Sequence, residues 1–311
     1  MTIVTVTLNT SVDRTIEVPR FAVGGHLKGR LVRVQAAGKG VNVARCLARL
    51  GVPSAATGFA GIRETGFFRE GLAGTRATMD LVPVAEPTRA CTTILDPELG
   101  TDTHVREAGF HVQPRELAAL EAKLRSLASS GALVVFCGSL PPGVTARHLA
   151  ALIAACQESG AKVAADLNGS ELGVAIAARA LLIKPNVEEL GEVIGRDLAS
   201  ATEPELVRAA RPLCDRVGTV LLTRGKDGAL AVSEAEALSG AVEVGSVRNT
   251  VGCGDAFLAG YLAGLWSGAS PEQRLRQAVA CGGANAMADA AGEIDPQGVA
   301  ELAAKARVRK A

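Results

Sequence analysis

The chain has 311 residues, with 33 basic against 32 acidic side chains for a net charge of +1, 35 glycines, seven cysteines, and few aromatics: seven Phe, one Tyr and one Trp. The balanced charge argues against a polyanion binder, whose affinity rests on a basic surface, and so few rings argue against a base-stacking platform. The length allows one large domain or a main domain with a smaller addition, and a hydrophobic content of 48% fills a sizeable core.

The first run, Ile3 to Leu8, alternates with period two and stops at Asn9-Thr10, which predicts a strand. The start lacks the basic residues of a signal peptide, and no uninterrupted apolar stretch reaches about 18 residues. The expectation is a cytoplasmic protein with no membrane and no nucleic-acid partner. Thr15–Val18 and Leu31–Val34 read as short strands, parted by Pro19 and Gly24-Gly25. Another strand runs from about Thr88 through Leu95, turns at Asp96–Gly100 and resumes near His104. From about residue 115 the pattern alternates: helix Arg115–Ser129, strand Leu133–Cys137, helix Thr145–Ser159, strand Lys162–Leu167. Strand Leu181–Ile183, helix Asn186–Ile194, helix Glu203–Val217 and strand Thr219–Thr223 follow. After Gly240 short strands are expected, then helices Gly254–Trp266, Pro271–Asp289 and Pro296–Val308. Strands apolar on both faces alternating with helices predict a parallel sheet covered on each side. The early hairpins predict a small β-element beside it, placed to act as a lid. The cysteines are scattered, odd in number and never C-x-x-C, so they read as buried thiols rather than a disulfide or zinc framework.

Five loops carry chemistry. In Asn249-Thr250-Val251-Gly252-Cys253-Gly254-Asp255, glycines 252 and 254 leave amide N–H groups open and the next helix aims its positive end at the same place, an anion-binding form. Asp255 suits general-base duty, although a helix start with an Asp favourable to the dipole gives the same pattern. Ala36-Ala37-Gly38-Lys39-Gly40-Val41-Asn42 opens another helix and has neither P-loop nor dinucleotide spacing. It reads as a polar ligand loop, with Asn42 as a two-sided hydrogen-bonder and Lys39 as a cation, or as a plain glycine turn. In Lys184-Pro185-Asn186-Val187-Glu188-Glu189, Asn186 and Glu189 share a helix face and suit a hard cation through water, or form a capping box. Gly138-Ser139 and Thr223-Arg224-Gly225-Lys226-Asp227-Gly228 follow two more strands, at the carboxyl ends where such sheets bind ligands.

In this order, and over nearly the whole chain, these loops resemble the PfkB-type carbohydrate kinases. Gly38–Ala44 matches the early marker of that family, and Thr250–Asp255 is similar to its D-T-x-G-A-G-D signature, with Asn249 and Cys253 replacing Asp and Ala. The opening Thr7-Leu8-Asn9-Thr10-Ser11-Val12-Asp13 resembles the hexose-phosphate branch, Thr10 replacing a usual proline. The resemblance implies a ribokinase-like three-layer αβα sandwich over residues 1–311, with a lid from about 13–36 and 88–107. It implies ATP and Mg2+ as cofactors and a small-molecule sugar phosphate as acceptor, fructose 1-phosphate foremost. Tagatose 6-phosphate, fructose 6-phosphate or another sugar is the alternative, and a non-catalytic sensor the reading from a different class. By position, Asp13, Lys28, Gly38, Lys39, Asn42, Arg89 and Ser139 would bind substrate, with Arg89 on its phosphate. Lys184, Asn186, Thr223, Gly225, Gly228, Gly254 and Asn285 would bind the nucleotide, with Asn285 by the adenine. Asn186 and Glu189 would organise the metal, Asp255 would be the base, and Gly252, Cys253 and Gly254 the anion hole. A homodimer through the lid is a further implication.

Overall fold

The computed structural model describes residues 2–311. The chain opens with β1 (Ile3–Thr7), β2 (Ser11–Glu17), β3 (Arg30–Ala37), α1 (Lys39–Arg49), β4 (Ser54–Gly61), α2 (Thr65–Glu70), β5 (Ala77–Met79), β6 (Val82–Val84), β7 (Arg89–Asp96) and β8 (Thr101–Arg106). It continues with α3 (Pro114–Leu127), β9 (Leu133–Cys137), α4 (Ala146–Glu158), β10 (Lys162–Asp166), α5 (Gly169–Ala177), β11 (Leu182–Ile183), α6 (Val187–Ile194) and α7 (Glu203–Ala210). The last elements are β12 (Thr219–Thr223), β13 (Ala229–Val232), β14 (Ala237–Ala241), α8 (Cys253–Trp266), α9 (Pro271–Met287), α10 (Pro296–Lys305) and β15 (Arg307–Lys310).

The central sheet has the order β15-β14-β13-β12-β11-β10-β9-β1-β4-β5, with β6 also paired to β4. It is parallel from β12 to β5 and ends in the antiparallel strands β13, β14 and β15. Side chains alternate across it, as strand geometry requires. Val4, Val6, Val134, Phe136 and Val163 pack under α3 to α7, with Leu120, Leu149 and Leu190. Ile3, Leu133, Val135 and Leu221 face the other way, under α1, α8, α9 and α10, with Leu47, Leu258, Leu262 and Leu275. These are the three layers the sequence predicts. A separate four-stranded sheet, β3-β2-β7-β8, is built from the two early segments, with β2 and β7 parallel at its centre. No helix among the described residues is long and apolar enough to cross a membrane.

Three expectations need correction. The helix over Glu203–Val217 ends at Ala210 and continues as a 3-10 turn over Arg211–Asp215, because Pro212 lacks the N–H and crowds the preceding turn. No strand lies within 242–252; the N–H groups of Arg248 and Asn249 donate instead to the Ala286 carbonyl at the end of α9. The helix from Pro296 stops at Lys305, and Arg307–Lys310 pairs with β14 as a charged edge strand.

Candidate active site

Strands β1, β9, β10, β11 and β12 all end at one edge of the sheet, where the order reverses around β1 and a crevice opens. A cleft of about 640 Å³ lies there, bounded by these strand ends, the N-termini of α1 and α8, and the small sheet. The structure brings Asp13, Gly38, Lys39, Asn42, Arg89 and Ser139 into its wall. Lys184, Asn186, Glu189 and Thr223 line it too, with Gly252, Gly254 and Asp255. Asn42 and Asp255, 213 positions apart, thus meet through the fold rather than through local sequence.

Gly252 has φ +80°, the left-handed region, and a Cβ there would lie 2.7 Å from the Ala291 Cβ. A side chain is therefore excluded on two counts. A Cβ on Gly254 would approach the Lys184 ammonium to 3.3 Å, so its absence leaves the cation beside the first turn of α8. Gly38, at φ +123°, turns the chain from β3 into α1. Gly40, read with it as part of a ligand loop, is buried against Thr7 and serves packing instead.

Asp255 in the first turn of α8 is 6% exposed and accepts a hydrogen bond from Asn42 Nδ2 at 2.8 Å. Burial pushes its carboxyl up to about 6, and nearby Asp166 pushes the same way against Asn42, Lys39 and Lys184. Asp166, at the end of β10, has no exposure and holds two ammonium groups: Lys39 Nζ at 2.9 Å and Lys184 Nζ at 3.0 Å. Burial alone would raise Asp166; the two lysines outweigh it and hold the carboxyl below its usual range. Lys39 also donates to Asn168 Oδ1 at 2.9 Å, and its ammonium is held charged by Asp166 against the cost of burial. Asp13 accepts from Ser11 Oγ at 2.6 Å and is raised by burial, with Arg89, Arg45 and Arg106 opposing.

Asn186 and Glu189 form the capping box: Asn186 Oδ1 accepts from the Glu189 N–H and Glu189 Oε2 from the Asn186 N–H, both at 2.8 Å. The box spends one oxygen of each. Glu189 Oε1 remains for a hard cation, which keeps most of its water and needs only one or two carboxylates beside phosphate oxygens.

Five expected residues stand outside this cleft. Lys28 is exposed on the irregular stretch 18–29 and does not line the cleft. Cys253 turns its thiol inward, to the Asn249 carbonyl and the Asn285 amide, so only its backbone belongs to the anion-binding turn. Asn285 is fully buried and offers no face to an adenine. It donates to the Val251 carbonyl at 2.9 Å and accepts from the Gly292 N–H at 2.8 Å, tying two loops together. Gly228 serves the turn between β12 and β13, where a Cβ would strike the Gly240 carbonyl. Gly225 instead lines a second cavity, of about 950 Å³, which shares Asn186 and Thr223 with the first.

Arg89 lines the cleft, but its Nε, Nη1 and Nη2 donate to the carbonyls of Thr10, Glu107 and Asn9 at 3.0–3.3 Å. It clamps the small sheet to β1 and keeps only its remaining N–H groups for a ligand. Asp166, Asn168, Arg106 and His104 also line the cleft and are not among the site residues expected from the sequence. The Lys-Val-Ala-Ala-Asp-Leu-Asn-Gly run around Asp166 carries a usable signal, a carboxylate at the end of a buried strand.

Amide groups opened by Gly252 and Gly254, two ammonium groups and one raised carboxylate converge at a helix N-terminus, the equipment of a phosphotransferase. The chain belongs to the pfkB family carbohydrate kinases, whose family model matches residues 4–296. It is 38% identical over 297 residues to a 1-phosphofructokinase of Rhodobacter capsulatus, a match covering 94% of this chain and 92% of that protein. A tagatose-6-phosphate kinase of Staphylococcus epidermidis is 27% identical over 295 residues, covering 94% of each. Among solved structures, Escherichia coli phosphofructokinase-2 in complex with substrates and products superposes with a TM-score of 0.92 at 27% identity, covering 98% of this chain and 99% of that one.

Proposed function

We propose that the protein transfers the γ-phosphoryl group of ATP to the C6 hydroxyl of fructose 1-phosphate, giving fructose 1,6-bisphosphate and ADP. The observation that carries this reading is the buried Asp255 carboxylate beside the Gly252–Gly254 turn, held by Asn42 from the opposite helix. Asp255 accepts the hydroxyl proton as the hydroxyl oxygen bonds to γ-phosphorus. The bond from γ-phosphorus to the bridging oxygen breaks, and its electron pair leaves with ADP. A carboxyl near 6 is mostly ionised at neutral pH and still basic enough to take the proton. Amide groups of the turn and the Lys39 and Lys184 ammonium groups meet the charge on the transferring group. The nucleotide phosphates run past Thr223 and Gly225. Glu189, its side chain fixed by Asn186, would hold Mg2+ through its free oxygen, and the cation would supply charge neutralisation at the phosphate oxygens. Asp13 and Asn42 hold sugar hydroxyls, and the small sheet acts as the lid that excludes water.

For the substrate phosphate the small sheet offers Arg106, which unlike Arg89 donates no hydrogen bond to the backbone in its wall of the cleft. A panel of fructose 1-phosphate, fructose 6-phosphate, tagatose 6-phosphate and fructose, compared by kcat/KM, tests the assignment. Fructose 1-phosphate is expected to lead. Arg106→Ala is expected to raise its KM about 10- to 100-fold, the worth of one charged hydrogen bond, without affecting fructose. A lead for unphosphorylated fructose would overturn the reading.

Pairing with a second copy through the lid is supported by exposed Leu31, Val32 and Val34 on edge strand β3. Sedimentation velocity is expected to give a dimer, which Leu31→Glu with Val34→Glu splits. A wild-type monomer at micromolar concentration ends that part of the proposal.

A further inference from the structure

Arg45 carries no role in the chemistry above, yet the residue is only 5% exposed and its guanidinium reaches Asn42 in the site. Its N–H groups go to uncharged oxygens. Nη1 donates to Asn42 Oδ1 and to the Ala291 carbonyl, both at 3.2 Å, and Nη2 to the Ala36 carbonyl. Glu293, the carboxylate that attracts it most, is paired with Arg49 at 2.7 Å. A buried cation without a carboxylate partner is costly, and the cost is met here by oxygens of α1, the end of β3 and the turn at Ala291. The Ala291 carbonyl also accepts from Gln35 Nε2 at 2.8 Å, so the root of the small sheet and the turn before Gly292 are drawn to one point. Gly292 in turn holds Asn285, and Asn285 the Val251 carbonyl next to Gly252.

The consequence for Asn42 is orientation. Its amide has a donor end and an acceptor end, and both are used: Oδ1 takes Arg45 Nη1, and Nδ2 gives to Asp255. Guanidinium is a donor only and carboxylate an acceptor only, so the amide is held one way round. We propose that Arg45 is a positioning residue for phosphoryl transfer, acting through Asn42 to keep an N–H on the proton-accepting carboxylate of Asp255. This rests on the reading of Asp255 as the base.

Groups facing Asp255 are Lys39 from α1, Asp166 at the end of β10 and Lys184 after β11, with the thiols of Cys46, Cys137 and Cys253 close by. Of these groups the Cys46 thiol feels the Arg45 charge, which Arg45→Lys retains. Once Arg45 is removed, the Asn42 amide is free to turn over. Asp255 then loses the hydrogen bond that favours its charged form, and its pKa rises above about 6. The acid limb of kcat/KM is expected to move up by about one pH unit in Arg45→Met and in Arg45→Lys, with kcat about tenfold lower. Lysine keeps the buried charge but has no planar fork to span Asn42 and two carbonyls. It is the variant to read if Arg45→Met does not fold.

In an Asn42→Ala background, Arg45→Lys is expected to leave the limb where Asn42→Ala alone puts it, since the effect passes through that side chain. A purely structural arginine would lower Tm and leave the limb in place. An unmoved limb in folded Arg45→Lys, or an equal shift with and without Asn42, overturns the relay. If Asp255→Asn keeps full turnover, the base assignment fails and the relay with it. If Asp255→Asn is inactive and the limb still does not move, only the relay fails.

Discussion

Asp255→Asn is expected to lower kcat by about 10²–10⁴-fold, the usual range for losing a positioned base, while ATP binding stays near normal. The amide has the shape of the carboxylate and can still accept from Asn42, so the wall of the cleft should hold. The same variant is expected to be more stable than the parent at neutral pH. Burial raises the Asp255 carboxyl to about 6 from an ordinary 3.8, so ionising it costs more in the folded chain than in the unfolded one. Native stability therefore falls as pH climbs from about 4 through 6, and about two units correspond to ~3 kcal/mol. Asparagine removes that slope. Measured side by side, turnover should collapse while Tm at pH 7.5 rises by a few degrees. Near-normal turnover removes Asp255 from the mechanism. An unchanged or lower Tm would mean that the lysines already neutralise it in the folded state.

That opposition of activity and stability explains why the site was partly readable from sequence. Residues placed against local rules stand out: two glycines and an aspartate opening an apolar helix, or a glycine–lysine pair between a strand and a helix. Gly252 at a left-handed φ bears this out in the backbone. The alternating segment from 115 to 223 was legible because strands buried on both faces are unbroken apolar runs; Leu133–Cys137 and Thr219–Thr223 match residue for residue. Strand β4, Ser-Ala-Ala-Thr-Gly-Phe-Ala-Gly, is not legible in the sequence, since Ala and Gly carry little strand preference and only its place between β1 and β5 makes it one. Strands β13 and β14, rich in Ala, are illegible for the same reason. Asn285 shows the limit on the site side. Its helix position was clear, but which loops its amide would bind depends on where Val251 and Gly292 end up. Nothing local told Asp166 that its partners would be Lys39, 127 positions away, and Lys184.

Asp166→Ala is expected to be the most damaging change in stability and to move the pH profile opposite to the Arg45 variants. Among the described residues Asp166 is the one carboxylate in contact with both ammonium groups, at 2.9 and 3.0 Å. Lys184 has a side-chain exposure of 6%, so removing the carboxylate strands its charge in the interior. Breaking one partner from a buried pair typically costs about 3–5 kcal/mol. Lys39 adds less, because its side chain is 32% exposed and water screens part of the loss. The folded Asp166 carboxyl lies below its ordinary 3.8, so its contribution is complete above about pH 4 and fades as pH falls through the lower folded value. The variant should therefore lose stability at neutral pH and come closer to the parent in strong acid. At the catalytic carboxyl, Asp166 pushes the Asp255 pKa up while Lys39 and Lys184 pull it down. With Asp166 gone the repulsion ends and the two cations act unopposed, so the acid limb of kcat/KM should fall below pH 6. Urea unfolding at pH 7 and pH 3, with kcat/KM followed from pH 4.5 to 8, reads both effects. A limb that stays fixed or rises shows that Asp166 does not set the charge state of the base, and equal destabilisation at both pH values shows that its lysines are neutralised by other groups.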